Sequence, residues 1–483
     1  MNVLFVTLDQ FRGDSFGAAG HPLVQTPVLD RIAQEGIRLE RHYSQAAPCA
    51  PGRAALYTGM YQMNNRVVAN GTPLAHGFSN LATVARSAGY DPTLFGYTDQ
   101  GLDPNWAQGV NDPRLNYYDG ILPGFSVGLY LSESQAGWMR YLRAKGYDLT
   151  DGCAGALRTE PDRPADDSVS GYLSSRFIQW LDQQESGWFA HLSYLRPHPP
   201  YAAAGHFASM YDPADIALPI APVPSSEQHW LHQLALGVRE SAAPVDLDEL
   251  RRLRAQYFGM ISEVDSQVGR VVDAITARGE WDDTLVVVTS DHGEQLGDHG
   301  LLEKLGFFPQ SYHVLGLWRD PRRNDAGSST NAFTENVDLL ATLASALGVD
   351  EPVQSDGRSM ESLWADQGDA WRTSVHYEWD YRTYSIRGST LDRRVDRSLN
   401  RQSLAVSFGD DVAYVQFGDG SYLCFDVAAD PSWRTPCHDL ERVLAGAQEL
   451  LVWRQEHLRR DLTDMLLGPD RRGRWPQGAQ LSR

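Results

Sequence analysis

The chain has 483 residues, with 42 Lys and Arg against 62 Asp and Glu, a formal net charge of −20 and a pI near 5.1. That length exceeds one small core and predicts a large domain followed by a smaller one. The charge repels nucleic acid and anionic membrane, so neither is an expected partner, and an anionic ligand must be held by locally gathered cations.

Met1-Asn2 leads straight into Val3–Leu8, a buried-strand run too short to cross a membrane. No signal peptide is expected ahead of it, and the four scattered cysteines Cys49, Cys153, Cys424 and Cys437 form neither a disulfide framework nor a zinc-finger spacing. A reducing, cytoplasmic setting is expected. Asp9-Gln10 stand at the carboxyl end of the strand. Thr26-Pro27 opens a helix through Ala33 that Gly36 closes, and a strand from about Ile37 to Ser44 follows.

That strand delivers the chain to Pro48-Cys49-Ala50-Pro51-Gly52-Arg53-Ala54-Ala55-Leu56-Tyr57-Thr58-Gly59. The segment sets a thiol at a helix start, with Pro51 in the first turn and Arg53 one turn inside. Free amides, the positive helix end and a guanidinium able to meet two oxygens make an anion site there, where a bare thiol is expected to have a lowered pKa. Leu81 to Ala88 reads as a helix ended by Gly89, and Thr93 to Tyr97 as a strand.

From about 99 to 170 periodicity fades, and the stretch reads as an insertion over one face that adds nothing to the sheet. A helix near Tyr172 to Gln183, a strand from Trp188 to Leu195 and the turn Arg196-Pro197-His198-Pro199-Pro200-Tyr201 follow. Residues 202–245 are loop-rich and proline-rich, a lid candidate. A long helix, Leu247 to Arg278, precedes the strand Thr284 to Ser290 and Asp291-His292-Gly293. The expected fold class is therefore α/β, a mostly parallel sheet with helices on both faces, whose ligands bind beyond the strands' carboxyl ends. Asp9, Cys49, Tyr97, His198 and Asp291 each follow such an end, so they are expected on one rim.

After residue 370 the texture changes to short alternating runs, His376 to Ile386, Leu404 to Phe408, Ala413 to Phe417 and Tyr422 to Val427, then a helix from Asp439 to Leu458. Residues 1–370 are thus expected to form the α/β domain and 371–483 a smaller antiparallel α+β domain. The basic tail from Gly468 is expected to be an arm or subunit contact of a homo-oligomer.

Asp9, Gln10, Asp291 and His292 make a plausible shell for one hard or borderline divalent cation, although each alone reads as a cap or a turn. The C-x-P-x-R pattern at Cys49, the Asp-Gln pair, Asn70, Arg196-Pro197-His198-Pro199-Pro200 and Ser290-Asp291-His292-Gly293-Glu294 together resemble the sulfatases of the alkaline phosphatase superfamily, most of all the arylsulfatase and phosphonate monoester hydrolase branch.

The resemblance implies that Cys49 is oxidised by a formylglycine-generating enzyme to formylglycine, whose hydrate is the nucleophile. It implies a metal held by Asp9, Gln10, Asp291, His292 and the modified Cys49, with calcium, magnesium and manganese all open. It places Arg53, Asn70, Tyr97, His198 and Lys304 around a small anionic ester. The expected reaction is hydrolysis of sulfate monoesters, with phosphonate monoesters or phosphodiesters as the alternative and an unmodified, inactive metal-binding protein as the rival outside enzymes.

Asp99 departs from the phosphonate hydrolases, which carry a hydroxyl there, and sets a carboxylate near an anionic substrate. Asp265 reads as a solvated or capping acid, Tyr57, Tyr61 and Met63 as packing residues, and His299 as part of the turn after the metal ligands.

Overall fold

Strand β1 (Asn2–Leu8) is buried along its whole length, as a central parallel strand must be when helices cover both faces of its sheet. Leu4, Val6 and Leu8 enter the core on one face, while Val3 and Phe5 enter that on the other, the two-residue period of a strand. The computed structural model describes residues 1–117, 119–364, 371–382 and 397–458, with the strand pair 466–467 and 473–474.

The sheet adds β2 (Ile37–Tyr43), β3 (Pro92–Gly96), β4 (Ser126–Tyr130), β5 (Phe189–Tyr194), β6 (Thr284–Thr289), β7 (Gly316–Arg319) and β8 (Ser328–Glu335), in the order β4-β3-β5-β1-β6-β7-β2-β8. Strand β7 runs antiparallel to β6 and β2; every other pairing is parallel. Helices Pro27–Glu35, Val169–Leu181 and Leu247–Ala277 cover one face. Helices Cys49–Thr58, Leu81–Ser87 and Asn336–Leu347 cover the other.

A second sheet of β9 (Ser374–Asp380), β10 (Ser403–Gly409), β11 (Val412–Phe417) and β12 (Tyr422–Asp426) is antiparallel throughout, in the order β12-β11-β10-β9. Helix Leu440–His457 covers one face through Leu450 and Trp453. The other face packs on the α/β domain, where the rings of Tyr312 and Tyr377 stack 3.9 Å apart.

Three expectations change. The 99–170 insertion supplies an edge strand, β4, besides helices Ala136–Ala144 and Gly152–Arg158. The lid candidate at 202–245 contains helix Trp230–Leu236 and buttresses the C-terminal sheet, with the His229 ring stacked 3.8 Å from Phe417 and Trp230 Nε1 donating to Asp419 Oδ2 at 3.0 Å. The first C-terminal strand ends at Asp380; the remainder expected for it from residue 383, and nearly all of the tail, lie outside the described residues. Among those residues no helix is long and apolar enough to cross a membrane.

Candidate active site

Strands β1, β2, β3, β5 and β6 all point the same way, so the residues that follow them gather at one edge of the sheet. Helix Cys49–Thr58, which follows β2, is buried at every residue. Its composition explains how it fits. A Cβ on Gly52 would lie 2.4 Å from the Asp291 carbonyl oxygen, so only glycine lets the first turn rest against the strand end that carries Asp291.

Arg53 projects from that turn into the sheet edge and is fully buried. Its Nε donates to Asp291 Oδ2 at 2.8 Å and its Nη2 to Asp9 Oδ2 at 3.0 Å; Nη1 donates to Ser193 Oγ at 2.7 Å and to the Tyr97 carbonyl and Tyr57 hydroxyl at 3.2 Å. The guanidinium does meet two oxygens at once. They belong to the protein's own carboxylates, so Arg53 clamps Asp9 and Asp291.

Burial penalises the Asp9 charge, but His198, Arg53, His292 and Lys304 outweigh it and hold this carboxyl well below the usual range. Burial and the Asp9 charge push Asp291 the other way, up to about 7. Two carboxylates at one dry site hold a proton between them unless another cation arrives.

Asp9, Cys49, Asp291 and His292 offer ligand atoms all within 4.8 Å of one another. His292 Nδ1–H donates to the Gly293 carbonyl at 3.0 Å, which leaves the Nε2 lone pair facing the cluster, 3.2 Å from Cys49 Sγ. Burial, then Lys304, lowers this imidazole to about 3, so it is neutral. A neutral imidazole with its other nitrogen held by a carbonyl is the form in which histidine ligates a metal. The residues therefore fit one divalent cation. The Cys49 thiol corrects an expectation, because burial and the charges of Asp9 and Asp291 push its pKa well above the ordinary value despite its place at a helix start.

Gln10 sits beside the cluster with φ +69°. Its N–H donates to Asp291 Oδ1 at 3.2 Å, its side-chain NH2 to Glu294, and its Oε1 accepts from Lys304 Nζ at 2.8 Å. The buried Glu294 also accepts from Tyr201 OH and from the amides of Leu296 and Glu303, at 3.0, 2.7 and 2.6 Å. Glu294 so ties Gln10 to the loop that carries Lys304.

A cavity of about 220 Å³ opens over Cys49, lined among others by Asp9, Asn70, Tyr97, Asp99, His198 and Pro199. No residue of 202–245 lines it; the insertion does, through Asp119, Leu131, Glu133, Gln135 and Leu157. Tyr97 OH donates to Asp9, and Asn70 Oδ1 accepts the Ala50 N–H at 3.0 Å. His198 Nδ1–H donates to the Pro199 carbonyl at 2.8 Å, and its Nε2 stands 3.1 Å from Lys304 Nζ. Burial first, then the Lys304 charge, lowers His198 to about 4. Asp99, with φ +53°, is pushed up to about 7 by burial and by Asp9, Asp291 and Asp119, against the pull of Arg53.

Beneath His198 lies a pair with no local signal in the sequence. Arg196 Nε donates to Glu160 Oε2 at 2.9 Å, and Nη1 donates to the carbonyls of His198 and Pro200 at 2.7 and 2.9 Å. Asp265 is buried, not solvated, and caps a neighbouring helix by accepting the N–H groups of Val28 and Leu29 at 3.2 and 2.8 Å. His299 is buried in its turn and stacks 3.5 Å from the Phe308 ring. Tyr57 and Tyr61 are buried, with their hydroxyls on His191 and Glu335, and Met63 is buried too.

A family model described as Sulfatase matches residues 1–349. The multifunctional alkaline phosphatase superfamily protein PehA of Trinickia caryophylli is 34% identical over 97% of this chain and 98% of its own length. The crystal structure of phosphonate monoester hydrolase of Agrobacterium radiobacter is 37% identical, with a TM-score of 0.91 over 98% of this chain and all of that one. Phosphonate monoester hydrolase SpPMH from Silicibacter pomeroyi is 31% identical, with a TM-score of 0.85 over 98% of this chain and 99% of its own.

Proposed function

We propose, from the premise that this chain belongs to the sulfatase family, that it hydrolyses monoanionic esters, sulfate monoesters among them, at Cys49 after conversion of that residue to formylglycine. The observation that carries the reading is the convergence of Asp9, Cys49, Asp291 and His292 within 4.8 Å of one another, beside a cavity that Asp9, Cys49 and His198 line. The near full-length likeness to two phosphonate monoester hydrolases puts phosphonate monoesters beside sulfates as a second class of substrate.

Hydrated formylglycine supplies two hydroxyls. One would serve as the nucleophile toward sulfur or phosphorus, and the other would allow the acid anion to be released without attack by water at the hindered centre. Asp9, Asp291 and His292 would hold one divalent cation, calcium, magnesium or manganese, with the group at position 49 and Gln10 as further donors. Such an ion supplies positive charge beside the reacting centre.

Around that centre Arg53 keeps both carboxylates in place. Lys304 offers an ammonium to the non-bridging oxygens, and its charge is sustained, against burial, by the anionic groups around it. The departing oxygen takes its proton from the Lys304 and His198 pair. With one cation, Arg53 and Lys304 set against Asp9, Asp291 and an ionised nucleophile, the site has little positive charge left for a dianion.

The test is a panel of matched aryl esters on protein whose position 49 has been typed by peptide mass spectrometry. Sulfate, phosphonate and phosphodiester turnover should exceed that of the phosphate monoester, which is largely dianionic above its second pKa near 6. Fastest turnover of the phosphate monoester at pH 8, or full activity of a wholly unmodified thiol form, overturns the reading.

A further inference from the structure

The cavity over Cys49 leads somewhere. A second cavity, of about 680 Å³, shares two of its lining residues, Asp119 and Glu133, with the first. Its walls include the rings of His76, Trp106, Tyr117 and Tyr130. An ester whose acid end lies at Cys49 would extend its alcohol part past that shared wall.

The charge of this passage has the wrong sign for an anion. Asp99 lines the inner cavity, and Asp119 and Glu133 line both. The arginine lining the outer cavity, Arg114, is engaged by Asp112, with Nε 3.0 Å from Oδ1 and Nη2 2.6 Å from Oδ2. His76 is turned so that its Nε2 accepts the Asp103 N–H at 3.2 Å.

Asp99 is the informative member. It is 8% exposed, and among the described residues no side chain or amide donates to its carboxylate. Its carboxylate faces the cavity, where a cation can pair it. Asp119, 5% exposed, accepts the Glu133 N–H at 2.6 Å through one oxygen.

The three acids do not form a metal site. Among the described residues, Asp9, Cys49, Asp291 and His292 are the group close enough to share one ion, and Asp99, Asp119 and Glu133 are not in it. Acids spread along a wall, facing aromatic rings across a wide cavity, suit an organic cation, whose charge is diffuse and whose body is apolar.

We propose that the alcohol half of the substrate carries an ammonium group, so that the whole ester is a zwitterion, its acid end over Cys49 and its ammonium held by Asp99, Asp119 and Glu133 with the Trp106, Tyr117 and Tyr130 rings packed around its body. The proposal rests on the ester-hydrolase reading above and names the substrate class within it. It also explains why a carboxylate stands at position 99, where it would otherwise repel the substrate.

The experiment compares two aryl esters of equal shape, 4-(trimethylammoniomethyl)phenyl and 4-neopentylphenyl, each as sulfate and as phenylphosphonate, on the modified holoenzyme. Once each rate is corrected for its phenol's pKa, the cationic ester should have the larger kcat/KM by about tenfold, the gap lying in KM and shrinking with salt. In Glu133→Gln and Asp119→Asn the ratio should fall toward one. Equal kcat/KM for the two esters, or a ratio unmoved in both variants, overturns the proposal.

Calorimetric binding of the two free phenols to the full chain keeps the proposal separate from the ester-hydrolase reading. If neither ester is turned over but the cationic phenol still binds about tenfold tighter than the neutral one, the hydrolase reading fails and the cation site stands. Equal binding of the two phenols removes the cation site whatever the activity.

Discussion

Lys304 Nζ stands 3.1 Å from His198 Nε2, and because the other ring nitrogen already gives its hydrogen to the Pro199 carbonyl, the lysine is the donor of the pair. On the proposed reading, the proton given to the departing oxygen is carried by an ammonium and steered by a neutral imidazole. Removing either partner should hurt poor leaving groups most. His198→Ala and Lys304→Met are expected to lose about a hundredfold in kcat/KM on 4-nitrophenyl esters and more on phenyl esters. A plot of log kcat/KM against leaving-group pKa checks this, and an unchanged slope in both variants would remove the pair from the proton-transfer step.

Asp291→Asn keeps the shape of the site but takes one charge from the cation shell and loosens the Arg53 clamp. Activity should drop by orders of magnitude, bound metal measured by elemental analysis should fall, and excess cation should restore part of the rate. Asp265→Asn is the contrast. It alters only a helix cap, worth about 1 kcal/mol, so it should lower the melting temperature and leave metal content as it was.

Glu263, on the long helix, accepts hydrogen bonds from Ser168 Oγ and Ser170 Oγ at 2.6 and 3.0 Å. Burial, with the Glu160 charge, raises its pKa from 4.5 to about 8. A carboxyl raised in the folded state binds a proton there that the unfolded chain has released, so its contribution to stability falls as pH rises from near 4.5 to near 8. The loss is at most about 1.4 kcal/mol per pH unit in that window. Glu263→Gln should flatten the decline in melting temperature between pH 5 and pH 8 without changing the leaving-group dependence, and parallel melting curves for the two proteins would contradict it.

Arg196→Met strands Glu160 as a buried charge and should cost about 3–5 kcal/mol. The double variant Arg196→Met/Glu160→Gln should recover much of that stability. It should not recover kcat, because the hydrogen bonds from Arg196 to the His198 and Pro200 carbonyls are still missing. Full rescue of kcat along with stability would make the arginine purely structural.

The central strands and the rim they point to were legible because buried parallel strands are continuous apolar runs that end abruptly in acids and histidines. Strands β4, β7 and β8 were not. Ser126–Tyr130 has a glycine in the middle, whose hydrogens rest on the Phe95 ring; Gly316–Arg319 is four residues long; and Ser328–Glu335 begins with exposed polar residues. None of these shows an apolar period. The site divides in the same way. Asp9, Cys49, Asp291 and His292 follow strand ends, whereas Lys304 and Asn70 lie on loops and were reached only through family resemblance. The contact of Arg53 with Asp291 was not foreseen because the two lie 238 residues apart in sequence, a distance no local pattern spans. Likewise the acidic wall of Asp99, Asp119 and Glu133 exists only once the insertion folds back over the sheet edge.

Cys49 is 4% exposed, and residues 48–53 around it are all buried. A second enzyme's active centre cannot close around a segment sealed beneath a sheet edge. If Cys49 is converted as proposed, the oxidising enzyme would have to meet these residues as an open, unfolded segment, before β6 sets Asp291 against Gly52. On the proposed reading, timing would decide the fate of each molecule: a copy that folds first would keep its thiol, and exposure of that folded thiol form to the modifying enzyme should yield no aldehyde until the chain is unfolded. The fraction of active protein in a preparation would then be a record of which event came first, folding or oxidation.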